Sequence, residues 1–402
     1  MTQNNLGITY RNRIRGERAE NLERAIACYQ AALEVTTHDA FPEHWATTQN
    51  NLGLAYADRI HGKRAENLEQ AIACFQAALE VHTRDTFPVE WAQTQNNLGN
   101  AYINRIRGEQ AENLERAIAY FQSALEVRTR DTFPVEWATT QNDLGNAYIN
   151  RIRGERAENL ERAIACFQAA LEVHTRDAFP ANWAAAQNNL GEAYRNRIRG
   201  ERAENLERAI TCLQAALEIH TRDAFPAGWA GTQNNLGIAY LHRIRGERAE
   251  NLEQAIACFQ AALKVTTRDA FPVEWAQTQS NLGNAYANRM RGERAENLEW
   301  AIECYQAALE VYTHDAFPFE WAQTQNNLGL AYVHRIRGEW AENLERAIEC
   351  FNYALTVLTA EAFPHDHEIV ARNLKQALSP QRSFHQRLRS MLRRLSPSLH
   401  RF

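Results

Sequence analysis

One feature constrains the fold of this chain more than any other, a block of 46 residues that repeats along most of its 402 residues. A leucine inside a TQNNLG-like word marks the same place in each block, at Leu6, Leu52, Leu98, Leu144, Leu190, Leu236, Leu282 and Leu328. A fixed period of this size is typical of a solenoid, in which each unit buries its apolar face by stacking on the next. The sequence therefore predicts one continuous array of stacked units.

Each block contains two predicted helices, as the block from Pro88 to Phe133 shows. Pro88 suits the first helical position, Gly108 suits a left-handed residue beyond the helix end, and Asn113 suits the cap of the second helix. Apolar residues recur at helical spacing on one side of each helix. The first stripe is Trp91, Leu98, Ala101, Tyr102 and Ile106, and the second is Leu114, Ala117, Ile118, Phe121, Ala124 and Leu125.

The words L-G-x-x-Y and A-I-x-x-F-x-x-A-L in these two helices resemble the tetratricopeptide repeat. They are carried by Leu98, Gly99 and Tyr102, and by Ala117, Ile118, Phe121, Ala124 and Leu125. The long unit is similar to the repeats of kinesin light chains and of bacterial, often cyanobacterial, proteins that carry a CHAT protease domain. The resemblance implies an all-α fold, an α-solenoid of stacked antiparallel helix pairs in a right-handed superhelix, with the first helices lining a concave groove.

The repeat also suggests how the chain is divided. Residues 1–363 are the predicted solenoid of eight helix-pair repeats, of which the first is truncated because Met1 aligns with Thr47. Residues 364–379 are the predicted capping helix, which a solenoid needs over its last apolar face and which Pro380 should end. Residues 380–402 form a predicted basic amphipathic tail.

The side of the first helix opposite the core stripe is the predicted binding groove for a peptide or protein. Asparagine amides both donate and accept, so a ladder of them could bind an extended peptide backbone. Two alternatives stay open: a solvated polar face in which Asn97 bonds to the neighbouring helix pair, and simple drift of exposed positions. The candidate groove residues are Asn50, Asn96, Asn100, Ile103, Asn104, Asn142, Asn146, Ile149, Asn150, Asn188, Glu192, Arg195, Asn196 and Asn234.

The composition argues against several classes of function. The 44 basic and 49 acidic residues give a net charge of −5, which does not favour a nucleic-acid partner. The chain has no glycine-rich phosphate loop, HExxH or GxSxG motif, so the sequence predicts neither an enzyme nor a bound cofactor. There is no secretory signal and no apolar run long enough to span a membrane, which makes the cytoplasm the predicted compartment.

Cysteine, histidine and arginine recur at copied positions. The seven cysteines occupy one position of the repeat, and stacked helix pairs lie roughly 10 Å apart, beyond disulfide reach, so reduced thiols and no metal are predicted. The histidines near the ends of second helices are predicted to lie too far apart to share a metal: His38, His82, His174, His220 and His314. Arg105 is predicted to pair with Glu112 or Glu115 of the connection between the two helices.

The end of the chain has a different character. From Ser379 to Phe402 there are six arginines and no acidic residue, whereas the preceding 38 basic and 49 acidic residues give −11. This tail could lie on an anionic membrane, bind a partner or fold back on the acidic solenoid, and an altered reading frame is a fourth explanation. The candidate contact residues of the tail are Phe384, Arg387, Leu388, Met391, Leu392, Arg393 and Arg394.

The leading hypothesis is a non-catalytic scaffold or adaptor that binds a peptide or protein in the concave groove. The alternative is a sensor or regulatory fragment of a CHAT-protease or signalling-ATPase system whose effector lies on another chain or was lost. The oligomeric state is left open, with a monomer favoured.

Overall fold

The computed structural model describes the backbone of residues 2–395 and the side chains of residues 3–379. This described part contains 17 α-helices and no strand, so the predicted all-helical fold is confirmed. The chain divides into two compact units, residues 1–212 and residues 213–402. The division falls within one helix, α10 (Arg202–Leu217).

The first unit consists of alternating first and second helices of the repeat. Its first helices are α1 (Thr2–Arg11), α3 (Pro42–Asp58), α5 (Pro88–Ile103), α7 (Pro134–Asn150) and α9 (Pro180–Asn196). Its second helices are α2 (Arg18–Val35), α4 (Arg64–Leu79), α6 (Gln110–Leu125) and α8 (Arg156–Leu171).

The second unit continues the same alternation after α10. Its first helices are α11 (Pro226–His242), α13 (Pro272–Asn288) and α15 (Pro318–His334), followed by the long α17 (Pro364–Leu395). Its second helices are α12 (Arg248–Ala262), α14 (Arg294–Leu309) and α16 (Trp340–Val357).

The predicted turn residues mark the helix ends, with one correction. Pro88 begins α5, and Gly108 has a φ of 79° in the connection that follows, as predicted. Asn113 does not cap α6, because that helix begins three residues earlier at Gln110. Asn113 is buried inside the first turn, and its Nδ2 donates to the Arg107 carbonyl oxygen at 3.0 Å, which ties the connection to the helix.

The two helices of a pair approach each other at a glycine. A Cβ atom added to Gly99 would lie 2.5 Å from Phe121 Cε1, closer than any real contact, so only glycine lets this ring pack against α5. Leu98 and Tyr102 are buried on the same side of α5. The predicted core stripes are thus confirmed at these positions.

Two members of the predicted stripe do not lie in the core. Ile106 is 62% exposed, because α5 ends at Ile103 and the helical spacing no longer applies to residues of the connection. Trp91 is only partly buried and lies under the guanidinium of Arg84, 6.0 Å from the ring centroid. Helical periodicity therefore fails for Ile106 because the helix has ended, and for Trp91 because the first turn of α5 lies at the edge of the core.

Successive repeats are joined by a bidentate ion pair. Arg105 Nε donates to Glu69 Oε1 at 2.8 Å and Nη2 donates to Oε2 at 2.9 Å, and these bonds lower the pKa of the Glu69 carboxyl. Glu69 belongs to α4, so the predicted pairing of Arg105 with Glu112 or Glu115 is wrong. The same pair recurs as Arg59 with Glu23, Arg151 with Glu115, Arg197 with Glu161, Arg289 with Glu253 and Arg335 with Glu299.

The last helix does not end where the sequence predicts. The backbone of α17 continues through Pro380 to Leu395. Pro380 has no N–H to donate to the Gln376 carbonyl oxygen, and the Ser379 hydroxyl donates to that oxygen instead, at 2.8 Å. The side chains of the tail residues, from Phe384 to Arg394, lie outside the described part.

Candidate interaction groove

The first helices of neighbouring repeats contact each other directly within each unit. In the first unit α3 contacts α5, α5 contacts α7 and α7 contacts α9, and in the second α11 contacts α13 and α13 contacts α15. No such contact joins the consecutive second helices α2, α4, α6 and α8 of the first unit, or α12, α14 and α16 of the second. The first helices therefore lie on the more closely spaced side of each unit, and we call their common surface the groove face.

Asparagines join the first helices across this face. The second asparagine of one TQNNLG-like word donates its Nδ2 to the Oδ1 of the first asparagine in the preceding word. This asparagine ladder runs from Asn51 to Asn4 (3.2 Å), Asn97 to Asn50 (2.9 Å), Asn189 to Asn142 (3.2 Å), Asn281 to Asn234 (3.1 Å) and Asn373 to Asn326 (2.9 Å). The alternative interpretation of Asn97, bonding to the neighbouring repeat, is thus correct.

Two repeats depart from the ladder. Asn327 Nδ2 donates to Asn284 Oδ1 at 3.2 Å, because Ser280 replaces the first asparagine of the preceding word. The second departure arises because Asp143 stands where the other copies have asparagine. Its Oδ2 accepts from Asn96 Nδ2 at 3.1 Å and from Asn100 Nδ2 at 2.9 Å. Burial raises the pKa of Asp143, and the hydrogen bonds from the two amides oppose that increase. Asn96 and Asn100, both predicted to bind a ligand, therefore bind the next helix of the protein itself.

A buried arginine lies beside this carboxyl group. Arg128 is 5% exposed, its Nη1 donates to Thr140 Oγ1 at 3.0 Å, and its Nη2 donates to Gln93 Oε1. Burial lowers the pKa of Arg128, and the negative charges of Glu136 and Asp143 raise it. A guanidinium thus fills the gap between α5 and α7.

The candidate groove residues differ widely in exposure. Asn104 and Asn150 are exposed, and each donates to the carbonyl oxygen four residues earlier, at 2.8 and 3.0 Å. Asn96, Ile149 and Asn234 are buried, so their side chains contact the protein itself in this structure. The partly exposed members are Asn50, Asn100, Ile103, Asn142, Asn146, Asn188, Glu192, Arg195 and Asn196. Ligand binding by these side chains stays a prediction.

The charged residues of the groove face are paired with each other. Arg195 Nη2 lies 3.7 Å from Glu192 Oε1, one turn away on α9. Burial lowers the pKa of Arg195, while the charge of Glu192 raises it. This pair is therefore less open to a partner than the sequence suggests.

A second variable position was missed by the sequence analysis, and it lies one to four residues beyond the end of each second helix. We call it the wedge position, and its residues are Thr36, His82, Arg128, His174, His220, Thr266, Tyr312 and Leu358. Burial lowers the pKa of His82, His174 and His220. Position within the repeat could have distinguished them from His38 and His314. These two histidines lie two residues later in the repeat and are exposed.

The wedge residue lines a cavity in several repeats. In the second unit, a cavity of about 260 Å³ between α11 and α13 is lined by Thr266, and one of about 230 Å³ between α15 and α17 is lined by Leu358. A third, of about 380 Å³ between α13 and α15, is lined by Tyr312. In the first unit Thr36 lines a cavity of about 140 Å³.

Metal binding needs a cluster of ligand side chains, and thiol chemistry needs an accessible thiolate. Among residues 3–379, no group of three His, Cys, Asp or Glu could hold a metal ion. All seven cysteines are free, and burial raises the pKa of several of their thiols to about 12, as for Cys166 and Cys258. No helix within the described residues has the length and apolar character needed to cross a membrane.

Comparison with known families assigns the repeats. The model of the tetratricopeptide repeat matches residues 1–44, 45–85, 91–130, 137–177, 183–223 and 229–269, and the Sel1 repeat matches residues 322–355. The chain therefore belongs to the tetratricopeptide repeat family, whose fold is that of protein-interaction scaffolds. The search of curated proteins gave no match.

One solved structure shows the same fold, and a second matches with a lower TM-score. The crystal structure of the APC/C hetero-tetramer Cut9–Hcn1 is similar with 16% identity and a TM-score of 0.51, over 93% of this chain and 75% of that chain. A signal transduction ATPase with numerous domains and a tetratricopeptide repeat sensor, from Pyrococcus horikoshii, matches at 14% identity and a TM-score of 0.46, over 96% of this chain and 56% of its own.

Proposed function

We propose that this chain is a non-catalytic scaffold or adaptor that binds a peptide or protein partner along its groove face. The family and the fold support a role in protein interaction. The groove face supports the finer proposal, because it carries partly exposed amide and aliphatic side chains on successive first helices. Such side chains can hydrogen-bond an extended backbone and contact its side chains.

The observation that carries the proposal is a contrast between two kinds of position. The arginine and glutamate that join the repeats are the same in each pair, from Arg59 with Glu23 to Arg335 with Glu299. The position two residues after the leucine of the TQNNLG-like word, on the groove face, differs among the copies instead. Its residues are Leu54, Asn100, Asn146, Glu192, Ile238, Asn284 and Leu330. A surface that varies on a constant framework is the arrangement expected of a binding face.

The same proposal includes the organisation of the chain and its surroundings. We place eight repeats in residues 1–363, a cap in residues 364–379 and a basic tail in residues 380–402, in a monomer located in the cytoplasm. The arginines of the tail, such as Arg387 and Arg393, would add a weak contact to anionic membrane surfaces, at roughly 1 kcal/mol per basic residue.

Site-specific crosslinking in the cell of origin tests the groove. A photoreactive amino acid replaces Asn150, which is exposed on α7, and in a matched control it replaces Ala165, which is exposed on α8 of the same repeat. We expect a partner to be crosslinked from Asn150 and not from Ala165, because only the first helices form the groove face.

The distribution of crosslinks decides the outcome. Crosslinks from Ala165 alone, with the partner still co-purifying, would contradict the groove assignment. Recovery of a protease or an ATPase from Asn150 would support the alternative in which this chain is the regulatory part of an effector system.

A further inference from the structure

Two sites that lie four repeats apart carry the same polar side chains around the wedge position. In the first unit the site is filled by the Arg128 guanidinium, which donates to Gln93 and Thr140. In the second unit the corresponding site is the cavity of about 380 Å³, at whose wedge position Tyr312 stands. The equivalent residues are Gln93 and Gln277, Glu136 and Glu320, and Thr140 and Thr324, and all three in the second unit line the cavity.

Tyr312 does not fill the space that corresponds to the Arg128 guanidinium of the first site. Its hydroxyl points to the Val273 carbonyl oxygen, at 3.5 Å, and its ring packs against Phe317 with centroids 5.6 Å apart. Tyr312 therefore lies along one wall of the cavity. Ser280 also widens the space, because most other copies have an asparagine at this place.

The groups around this cavity offer acceptors. Within the described residues, Glu320 forms no ion pair and the Gln277 side chain forms no hydrogen bond, and both are exposed at the rim. The Thr324 hydroxyl donates to the Glu320 carbonyl oxygen at 2.8 Å, which leaves its own lone pairs free. No basic side chain lines the cavity. The site thus keeps the glutamine, the glutamate and the threonine found around Arg128, has Asn327 in place of Asp143, and lacks the cation.

We propose that this cavity binds the guanidinium of an arginine side chain on a peptide held in the groove, a proposal that rests on the proposed groove function. Arg128 shows the arrangement within the same protein, with one nitrogen on the glutamine and another on the threonine. Arginine is favoured over lysine because its planar fork can reach both acceptors at once and can pack against the rings of Phe317 and Phe319.

Fluorescence anisotropy with the full chain tests this site. The probe is the fluorescein-labelled peptide Gly-Ser-Leu-Arg-Leu-Ser-Gly, and the same peptide with lysine or with uncharged citrulline replaces it in parallel titrations. We expect the arginine peptide to bind about tenfold more tightly than either analogue, as for loss of a hydrogen bond to a charged group. Glu320→Gln should weaken the binding of the arginine peptide about tenfold.

A matched variant separates this site from general charge effects. Glu136→Gln removes the equivalent carboxylate where Arg128 already fills the site, so it should leave peptide affinity unchanged. Tyr312→Arg should abolish binding by supplying the cation internally, and its melting curve shows whether it folds. Equal affinity for the citrulline peptide, or equal loss from Glu136→Gln, would overturn the proposal.

Two further outcomes distinguish the source of the arginine from the validity of the proposed groove function. Self-association of the full chain that Glu320→Gln abolishes would support the site, and its loss on removal of residues 380–402 would identify the tail of a second copy as the source of the arginine. Failure of the arginine peptide, together with crosslinking of a partner from Asn150, would remove this inference and leave the groove function standing.

Discussion

Arg151 and Glu115 join two successive repeats, with Arg151 Nε and Nη2 each 2.8 Å from a different oxygen of the Glu115 carboxylate. Glu115 lies on α6 and Arg151 follows α7, so the pair links the second helix of one repeat to the first helix of the next. In a solenoid, stability depends on such contacts between neighbours, because each repeat touches only the adjacent ones.

Removing one carboxylate of this type should weaken one junction. We expect Glu115→Ala to cost about 1–3 kcal/mol, since it leaves the partly buried Arg151 guanidinium without its acceptor. Glu112→Ala is the control, because Glu112 pairs with Arg116 on the exposed side of the same helix and its loss should change stability less. Hydrogen exchange should show the loss of protection concentrated around α6 and α7, and an equal effect of both variants would contradict the inter-repeat role.

The close approach at the helical glycines gives a second prediction. An alanine Cβ at Gly145 would lie 2.6 Å from Phe167 Cε1, so Gly145→Ala should destabilise by about 1–3 kcal/mol through overpacking. Gly231 lies inside α11 with no atom within 4 Å of an added Cβ. Gly231→Ala should therefore stabilise by about 0.5–1 kcal/mol, because alanine favours the helix. Thermal or urea unfolding measures both, and the same sign for the two would be inconsistent with the packing.

Stability should also depend on pH through the buried wedge histidines. Burial lowers the pKa of His82, His174 and His220 in the folded chain, whereas an unfolded histidine titrates near about 6.5. The unfolded chain binds protons first, so the folded state is fully favoured above about pH 6.5 and loses stability as the pH falls toward the folded pKa.

A triple variant isolates this contribution. His82→Thr, His174→Thr and His220→Thr together introduce the residue found at this position as Thr36 and Thr266, and should flatten the fall in Tm between about pH 7 and 5. The exposed pair His38→Thr and His314→Thr serves as the control and should leave the slope unchanged. An unaltered slope in the triple variant would show that other groups carry the acid sensitivity.

Much of this architecture could be predicted from local sequence. The period, the helix pairs, Pro88 at a helix start and Gly108 at positive φ depend on neighbouring residues along the chain, and these predictions are confirmed. The prediction of Ile106 as a core residue failed because the helix ended earlier than its apolar spacing suggested.

What the sequence determined by itself is the repeating helical hairpin, because helix capping, glycine turns and apolar periodicity act over a few residues. Only the tertiary structure decided which neighbouring repeat each polar side chain contacts. Arg105 binds Glu69 of the preceding repeat, and Asn96 turns to Asp143 of the next, because stacking brings residues about one repeat apart into contact. Only the packing of successive repeats showed that the wedge position holds a buried arginine at Arg128 and borders a cavity at Tyr312.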